Sequence, residues 1–394
     1  MAVEVAWLRW AATACLALTA WGIPLSTSGM QVGVVALGVL AALATWWGMP
    51  VIRRTPLDEA LLVLLGALLL STIVGGFDAP GWSRPWVVLA YFVVYWWIED
   101  ARTAARLVRW LVMAACVVAL YSIVQHYTGA DWYRELLGRR SAVHPRIEGA
   151  HGYASVGFFR NYLTFAHVLI IPLGFALVSR ERWMRLGAVP LLALAIVFST
   201  ARGAWIAVLA MAIGALATGR GAAARLGVLA GVGVFALGVS PGLRQQIIPA
   251  LTSAEMNVGR LGIYRANLDI VHDHPLFGLG FGRYQRAARP YYELHPEADR
   301  RSHAHNNFLQ IAAEAGLVGL AAFTLLFATM LRFGFEAVRR CRDPNLHALA
   351  LGGCLAIVGF LVGGLTQYSF GDNEVAMAMW AAAAVLMRLR DVGR

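Results

Sequence analysis

The chain contains no lysine, so all 33 of its basic residues are arginine. Charge of either sign is scarce, because charged residues make up 14% of the 394 residues and hydrophobic residues 59%. The mean hydropathy of +0.63 is far above that of a soluble domain. These proportions exclude an ordinary soluble protein and predict an integral membrane protein.

Several patterns that carry chemistry in other proteins are missing. The four cysteines lie far apart and have no C-x-x-C spacing, so we expect neither a disulfide nor a zinc site. The glycines of residues 278–282 follow no predicted strand and lack the G-x-G-x-x-G spacing, which excludes a dinucleotide site. We find no convincing internal repeat, whereas many transporters consist of paired repeats. We therefore expect no cofactor.

Apolar runs long enough to form membrane-spanning helices, roughly 17–25 residues each, occur about twelve times. They fall near residues 6–25, 30–50, 57–76, 83–98, 105–126, 158–178, 185–201, 203–218, 225–240, 308–331, 346–369 and 374–388. The first run lacks a clear cleavage site, so we expect a retained helix rather than a signal peptide. The pattern predicts an all-α polytopic membrane protein with about 12 transmembrane helices.

The arginines follow the positive-inside rule if the N-terminus is cytoplasmic. Every inner loop then carries arginine, while the short outer loops near 26–29, 77–82 and 370–373 carry none. This distribution accounts for the net charge of +11, so we expect no nucleic-acid partner. Both termini are predicted to be cytoplasmic.

The spans divide the chain into five regions. They are helices 1–5 in residues 1–126, interpreted as scaffold; an outer loop, 127–157; helices 6–9 in 158–240; a large outer loop, 241–305; and helices 10–12 in 306–394. The large loop contains a predicted amphipathic helix over 259–273, where Leu261, Tyr264, Leu268 and Val271 recur at helical spacing and form one apolar face.

Polar residues collect on the outer side of this predicted bundle. His303, His305 and Asn306 stand at the mouth of the apolar segment that begins at Ile311. Arg202 lies between two apolar runs with almost no loop, and a charge at the bilayer centre is costly, so we expect it to face a wet cavity. The other candidates are Arg160 and Asn161 at the start of the sixth span, and Arg260 and Arg265 in the predicted loop helix.

These residue types suit one kind of chemistry. Guanidinium groups present planar forks of donors that match the oxygens of a diphosphate. A neutral histidine can take a proton from an attacking sugar hydroxyl. Together they favour glycosyl transfer from a lipid diphosphate.

Three local motifs carry a family resemblance. His305-Asn306, nine residues, and Gly316-Leu317-Val318-Gly319 fit the pattern H-[N/S/H]-x9-G-x-x-[G/T/Y]. This pattern resembles the signature of the bacterial O-antigen ligase family, in the superfamily that also contains O-antigen polymerases. Ser199 to Gly203 is similar to the family's S-x-x-R-G motif, and Pro275 to Gly280 to its P-L-x-G-x-G segment.

The resemblance implies a GT-C-like enzyme of the bacterial inner membrane with its active site facing the periplasm. It would transfer O-antigen from undecaprenyl diphosphate to a sugar hydroxyl of lipid A–core, inverting the anomeric carbon without a metal. We assign His305, Arg202 and Arg260 as catalytic. We assign substrate binding to Arg265, Arg160, Asn161, His303 and Asn306, with membrane lipids as further partners.

Alternatives remain open. A polymerase of the same superfamily would use a second lipid-linked repeat unit as acceptor, and a polysaccharide flippase or transporter is a third possibility. Asn161 could simply cap a helix beside a snorkelling Arg160, and either histidine could be structural. The basic stretch from Arg283 to Arg301 could attract anionic lipid substrates or contact headgroups.

Overall fold

The structure, a computed structural model, describes residues 2–145, 152–216, 222–240, 245, 255–298 and 303–393. Within these ranges the chain is almost entirely helical. The first helices are α1 (Ala2–Leu25), α2 (Thr27–Trp46), α3 (Asp58–Gly75), α4 (Ala79–Trp82), α5 (Leu89–Trp97), α6 (Ala101–Thr128), α7 (Trp132–Leu136) and α8 (Tyr162–Val178). They are followed by α9 (Val189–Phe198), α10 (Arg202–Leu216), α11 (Ala222–Val239), α12 (Glu255–Asp273), α13 (Tyr284–Ala287), α14 (Arg289–Glu293), α15 (Asn307–Arg340), α16 (Pro344–Gly363) and α17 (Asn373–Val392). Strands β1 (His144–Pro145) and β2 (Tyr153–Ala154) form a two-residue antiparallel ladder.

Each apolar run predicted from the sequence coincides with a helix. Among the described residues, α2, α3, α6, α15 and α16 are long and apolar enough to cross a membrane. Shorter apolar helices occupy Tyr162–Val178, Met184–Phe198, Arg202–Leu216 and Gly227–Val239. The prediction of an all-α membrane protein is therefore confirmed.

Helix α17 lies at the centre of the bundle, in contact with α5, α8, α15 and α16. Its residues from Val375 to Leu389 are all buried, and many are alanine. Small residues also bring α8 close to α16, where Gly174 faces the backbone of Ala356. Such close approach lets helices pack in lipid, which provides no hydrophobic drive between them.

Helix α15 is broken at Gly316, where φ is +65° and ψ is −168°. The break frees the carbonyl groups of Ala313 and Glu314, which accept hydrogen bonds from the amides of Leu279 (2.9 Å) and Gly280 (3.0 Å). Beyond the break, the amide of Leu317 donates to the carbonyl of Pro275 at 2.7 Å. Backbone hydrogen bonds thus join the P-L-x-G-x-G segment to the kink of α15.

Glycine is required on both sides of this junction. A Cβ at Gly316 would overlap the backbone of Leu276, and one at Gly278 would overlap the backbone of Glu314. The next two glycines along the chain, Gly280 and Gly282, pack against Gly75 and Gly81 respectively. The segment therefore connects α15 to the end of α3, and its positive φ values favour glycine.

The helix predicted over 259–273 is α12, and it buries a different face within the protein from the apolar face described above. Ile263, Ala266 and Ile270 are buried against a cluster that includes Tyr284 and Tyr292. Leu261 and Leu268, which the sequence analysis placed on the apolar face, are 50% and 57% exposed.

Candidate functional site

The turn that joins α16 to α17, residues 364–372, is the part of the molecule on which the predicted site residues converge. We call it the outer turn. His305 is held against it: its Nδ1 lies 3.0 Å from Oε1 of Gln367. An amide oxygen only accepts, so Nδ1 carries the proton and donates it. The lone pair of His305 is then on Nε2.

The backbone at His305 is unusual, with φ at +50°. A positive φ is uncommon for residues other than glycine. Such a conformation persists only where contacts with the surrounding structure hold it in place. The amide of His305 donates to Nδ1 of His303 at 3.3 Å, and the amide of Ala304 donates to Oε1 of Gln310 at 2.7 Å. These contacts fix the direction of the His305 side chain.

Two asparagines bind the start of α15 to the outer turn. Asn306 caps the helix, its Oδ1 accepting from the amides of Phe308 and Leu309, while its Nδ2 donates to the carbonyl of Leu365 at 3.0 Å. The amide of Asn307 donates to the carbonyl of Gly364 at 2.7 Å. The substrate-binding prediction for Asn306 is untested by these contacts, which give it a capping and anchoring role.

Helix α12 contacts the same turn. The hydroxyl of Tyr264 donates to the carbonyl of Leu365 at 3.1 Å. Burial raises the pKa of this hydroxyl, so it stays protonated and keeps donating. Half-buried Arg260, one turn earlier, lies near enough to act electrostatically on both Tyr264 and His167 of α8. Arg260 therefore belongs to the helix that contacts the outer turn through Tyr264.

Arg202 belongs to α10, another helix that contacts the outer turn. It is the first residue of α10 and follows Thr200, whose φ is +62°. Its neighbour Gly203 abuts Thr366, so closely that a Cβ there would overlap the threonine side chain. The S-x-x-R-G motif therefore places the half-buried Arg202 beside the turn that holds His305. The elements that carry Arg202, Arg260 and His305 are far apart in sequence, and each of them contacts the outer turn.

Three other predicted residues lie elsewhere or have other contacts. Arg265 is largely exposed and pairs with Glu297 at 3.4 Å. Asn161 caps α8, its Oδ1 accepting from the amide of Leu163 at 2.8 Å. Arg160 lines a cavity of about 510 Å³ with Arg134, Arg139 and Arg140. The capping alternative for Asn161 thus matches its observed contact.

His303 stacks loosely beside His305, with ring centroids 4.3 Å apart, and its ring lies 5.9 Å from that of Tyr368. Burial raises the pKa of the Tyr368 hydroxyl, and the guanidinium of Arg84 lies close enough to act on it. Arg84 belongs to the region predicted as scaffold. No sequence motif contains Arg84, which lies between α4 and α5.

Two arginines of the basic stretch that follows the glycine segment contact the end of α3 and the loop after it. Arg286 pairs with Asp78 at 3.3 Å, and Arg283 approaches Gly76. Arg300 and Arg301 lie outside the described residues. Across the residues that are described, no three His, Cys, Asp or Glu side chains are grouped to hold a metal ion.

The sequence of this chain is similar to those of known proteins. The model of the O-antigen ligase family matches residues 162–324. The resemblance to the O-antigen ligase family is confirmed. The matched stretch begins at α8 and contains Arg202, Arg260 and His305, whereas Gln367 and Arg84 lie outside it.

A curated relative agrees with this result. The exopolysaccharide production protein ExoQ of Rhizobium meliloti (strain 1021) is 26% identical over 299 residues. The match covers 69% of this chain and 64% of the relative's length. The chain is thus similar in sequence to the O-antigen ligase family and to an exopolysaccharide production protein, of which it matches less than two thirds.

Proposed function

We propose that the protein is an O-antigen ligase, which transfers O-antigen from undecaprenyl diphosphate to a sugar hydroxyl of lipid A–core. The observation that carries the proposal is that the elements bearing Arg202, Arg260 and His305 all contact the outer turn, where Nδ1 of His305 donates to Gln367. The family match covers all three residues.

The reaction follows from these groups. The acceptor hydroxyl oxygen attacks the anomeric carbon of the donor as its proton passes to Nε2 of His305. The bond from that carbon to the diphosphate oxygen breaks, and undecaprenyl diphosphate leaves with the electron pair. Attack from the side opposite the leaving group inverts the anomeric carbon. A positioned base contributes about 10²–10⁴-fold to such a reaction.

The arginines act on the leaving group. Undecaprenyl diphosphate gains negative charge as the bond breaks, and Arg202 and Arg260 can receive that charge through bidentate hydrogen bonds. Neither guanidinium deprotonates, so this role needs no proton transfer. The diphosphate is already a good leaving group, and no metal is required by this scheme.

The proposal includes a topology of about twelve spans in a GT-C-like arrangement in the inner membrane. Both termini would be cytoplasmic, and the outer turn would face the periplasm. Reporter fusions at residue 394 and within 280–300 should report opposite compartments. The same compartment for both would refute the topology and the proposed location of the site.

A second candidate is a polymerase that joins lipid-linked repeat units. It is favoured by the relative, whose name associates it with exopolysaccharide production rather than with ligation. The chemistry at His305 would be the same, and the acceptor would differ. The two functions therefore differ in products, which can be measured.

The glycans of a deletion strain distinguish the candidates. Loss of a ligase leaves full-length polymer on undecaprenyl diphosphate and none on lipid A–core. Loss of a polymerase leaves single repeat units and no long polymer. Unchanged linkages, with donor accumulating on the cytoplasmic leaflet, would refute both and favour a flippase.

A further inference from the structure

A cavity rich in arginine lies where α6 is followed by the short helix α7. It encloses about 510 Å³, and the described residues that line it are Arg134, Arg139, Arg140 and Arg160. We call it the arginine cavity. Arg134 is buried and lies 3.5 Å from Asp131, whereas within the described ranges no carboxylate pairs with the guanidinium groups of the other three. The cavity therefore carries an excess of positive charge.

The turn that ends α7 brings three of these arginines together. Gly138 has a φ of +63°, its amide donates to the carbonyl of Glu135 at 3.0 Å, and the amide of Arg139 donates to the carbonyl of Arg134 at 2.8 Å. This pair of hydrogen bonds is the Schellman motif, which ends a helix and redirects the chain. It places Arg139 and the next residue, Arg140, beside Arg134.

Asp131 anchors this part of the chain and has little charge left to offer the cavity. It is fully buried, and its Oδ2 accepts from the amide of Ala142 at 2.9 Å. Its Oδ1 accepts from the hydroxyl of Tyr121 at 3.3 Å and from Nε2 of Gln125 at 3.4 Å, both on α6. This carboxylate is held by α6 and by the chain beyond the cavity, so it compensates Arg134 at most.

Aromatic contacts hold the last arginine beside α7. Phe158, two residues before Arg160, stacks on Tyr121 with ring centroids 4.8 Å apart. Its ring also meets that of Tyr133 edge-on, at 4.9 Å. The chain on both sides of the cavity is thus fixed by contacts that do not involve the guanidinium groups. Those groups are therefore available to an anion.

An exposed apolar surface adjoins the arginines. Trp132 and Leu136 are four positions apart, and so on one face of α7, and they are 55% and 87% exposed. Helix α6, which is long and apolar enough to cross a membrane, ends at Thr128, four positions before Trp132. Helix α7 therefore lies at the edge of the membrane, where apolar side chains enter lipid and basic ones meet headgroups.

We propose that the arginine cavity binds the phosphate of an anionic phospholipid whose acyl chains lie against Trp132 and Leu136. Guanidinium forks match phosphate oxygens, and basic pockets beside membrane helices are suited to anionic headgroups. A free anion would use the arginines alone, and a sugar would gain nothing from the exposed leucine. A phospholipid uses both surfaces. This inference is independent of the proposed glycosyl transfer.

The first test removes two of the arginines at exposed positions. Arg139→Gln combined with Arg140→Gln is compared with Arg102→Gln combined with Arg106→Gln, which removes the same charge from exposed positions at the opposite end of α6. Native mass spectrometry of the purified full chain measures the affinity for the first phosphatidylglycerol bound. We expect the cavity variant to weaken it about tenfold or more and the control to change it by less than about twofold. Equal losses would overturn the proposal.

Competition identifies the ligand. Neither inorganic phosphate nor glucose 1-phosphate should displace phosphatidylglycerol at equal concentration, because neither contacts the apolar face of α7. Displacement by inorganic phosphate would indicate a site for free anions, and displacement by glucose 1-phosphate a site for the glycan. Undecaprenyl phosphate that binds more tightly than phosphatidylglycerol would indicate a substrate lipid. Each of these three results would overturn the proposal.

The apolar half of the site is tested separately. Leu136→Asn should weaken phosphatidylglycerol binding severalfold, because the acyl chains lose an apolar partner, and the fold should be unaffected because Leu136 is 87% exposed. Unchanged affinity would refute the role of α7.

A measurement on the unaltered protein avoids any effect of the variants on folding. Phosphatidylglycerol with a diazirine in one acyl chain is added, one molecule per protein, to nanodiscs of phosphatidylcholine. Its cross-links should concentrate on peptides within 132–140. Equal yields on peptides from α2, which also crosses the membrane by length and composition, would contradict a specific site at the arginine cavity.

Discussion

His305 donates its Nδ1 proton to Oε1 of Gln367 across 3.0 Å, although the two residues are 62 positions apart in sequence. This hydrogen bond selects the tautomer whose lone pair is on Nε2. It also ties the base to the same turn that Arg202 and Arg260 approach. The orientation of the base and its placement beside the arginines thus depend on one segment of the chain.

Replacing Gln367 should affect catalysis through His305. Gln367→Leu removes the acceptor for Nδ1–H and frees the ring to adopt the other tautomer, so we expect kcat to fall by roughly tenfold or more. KM for the donor should change little. Initial rates with a lipid-linked glycan measure both.

Gln367→Glu distinguishes this positioning role from a purely structural one. A carboxylate beside Nδ1 stabilises the imidazolium, so the acidic limb of the pH–rate profile should move to higher pH. An unaltered profile together with a low rate would mean that Gln367 supports the fold only.

Arg202 and Arg265 provide a matched pair of arginine variants. Arg202→Ala should lower kcat/KM by about 10²-fold or more, because it removes a group proposed to meet the charge of the leaving diphosphate. Arg202→Lys should recover little, since an ammonium lacks the bidentate fork. Arg265→Ala should remain close to the unaltered enzyme, because Arg265 is exposed and paired with Glu297. Near-normal activity of Arg202→Ala would exclude it from the site.

Gly316 should not tolerate a side chain. Gly316→Ala places a Cβ against the backbone of Leu276 at a φ of +65°, so we expect a loss of about 1–3 kcal/mol from backbone strain alone, and more from the overlap. Thermal unfolding in detergent measures it. Gly66→Ala in α3 is the control, because a Cβ there meets nothing within 4 Å. Equal melting temperatures for the two variants would contradict the described kink.

Asp372 predicts a pH dependence of stability. Its burial, and secondly the charge of Glu374, raise the pKa of its carboxyl to about 7. Because this pKa is above the unfolded value of about 3.9, ionised Asp372 destabilises the fold; the cost is absent below about pH 4, grows up to about pH 7 and is constant above it. Asp372→Asn should therefore raise the melting temperature by a few degrees at pH 8 and have no effect near pH 4.

The control for Asp372 is an exposed acid. Glu293→Gln should not change the melting temperature at either pH, because Glu293 is exposed at the end of α14. A stabilisation by Asp372→Asn that is equal at both pH values would show that ionisation is not its cause.

The sequence predicted the helices because they depend on local signals, and it pointed to candidate site residues for the same reason. Apolar runs must be helical in a bilayer, and a charge such as Arg202 between two such runs must find a polar environment. The family-like motif that begins at His305 also includes Gly316. The kink that requires Gly316 was not predicted, because it depends on hydrogen bonds to residues 275–280, some 40 positions earlier in the chain.

Other parts of the site depend on contacts between distant segments. Gln367 belongs to none of the sequence motifs, and its bond to His305 follows from the packing of α15 against α16. Arg84 carries no motif at all. Helical spacing predicted α12 but not its second apolar face, on which Ile263 and Ile270 contact the tyrosine cluster while Leu261 and Leu268 are exposed.

The most direct test of this account is His305→Ala in a purified assay with separate readouts of donor binding and glycan transfer. We predict that transfer falls by about 10²–10⁴-fold while the affinity for the lipid-linked donor is retained, because His305 supplies the base and the arginines hold the diphosphate. His303→Ala, the neighbouring control, should do much less. Transfer at a normal rate by His305→Ala, or a loss of donor binding that matches the loss of rate, would contradict His305 as the base.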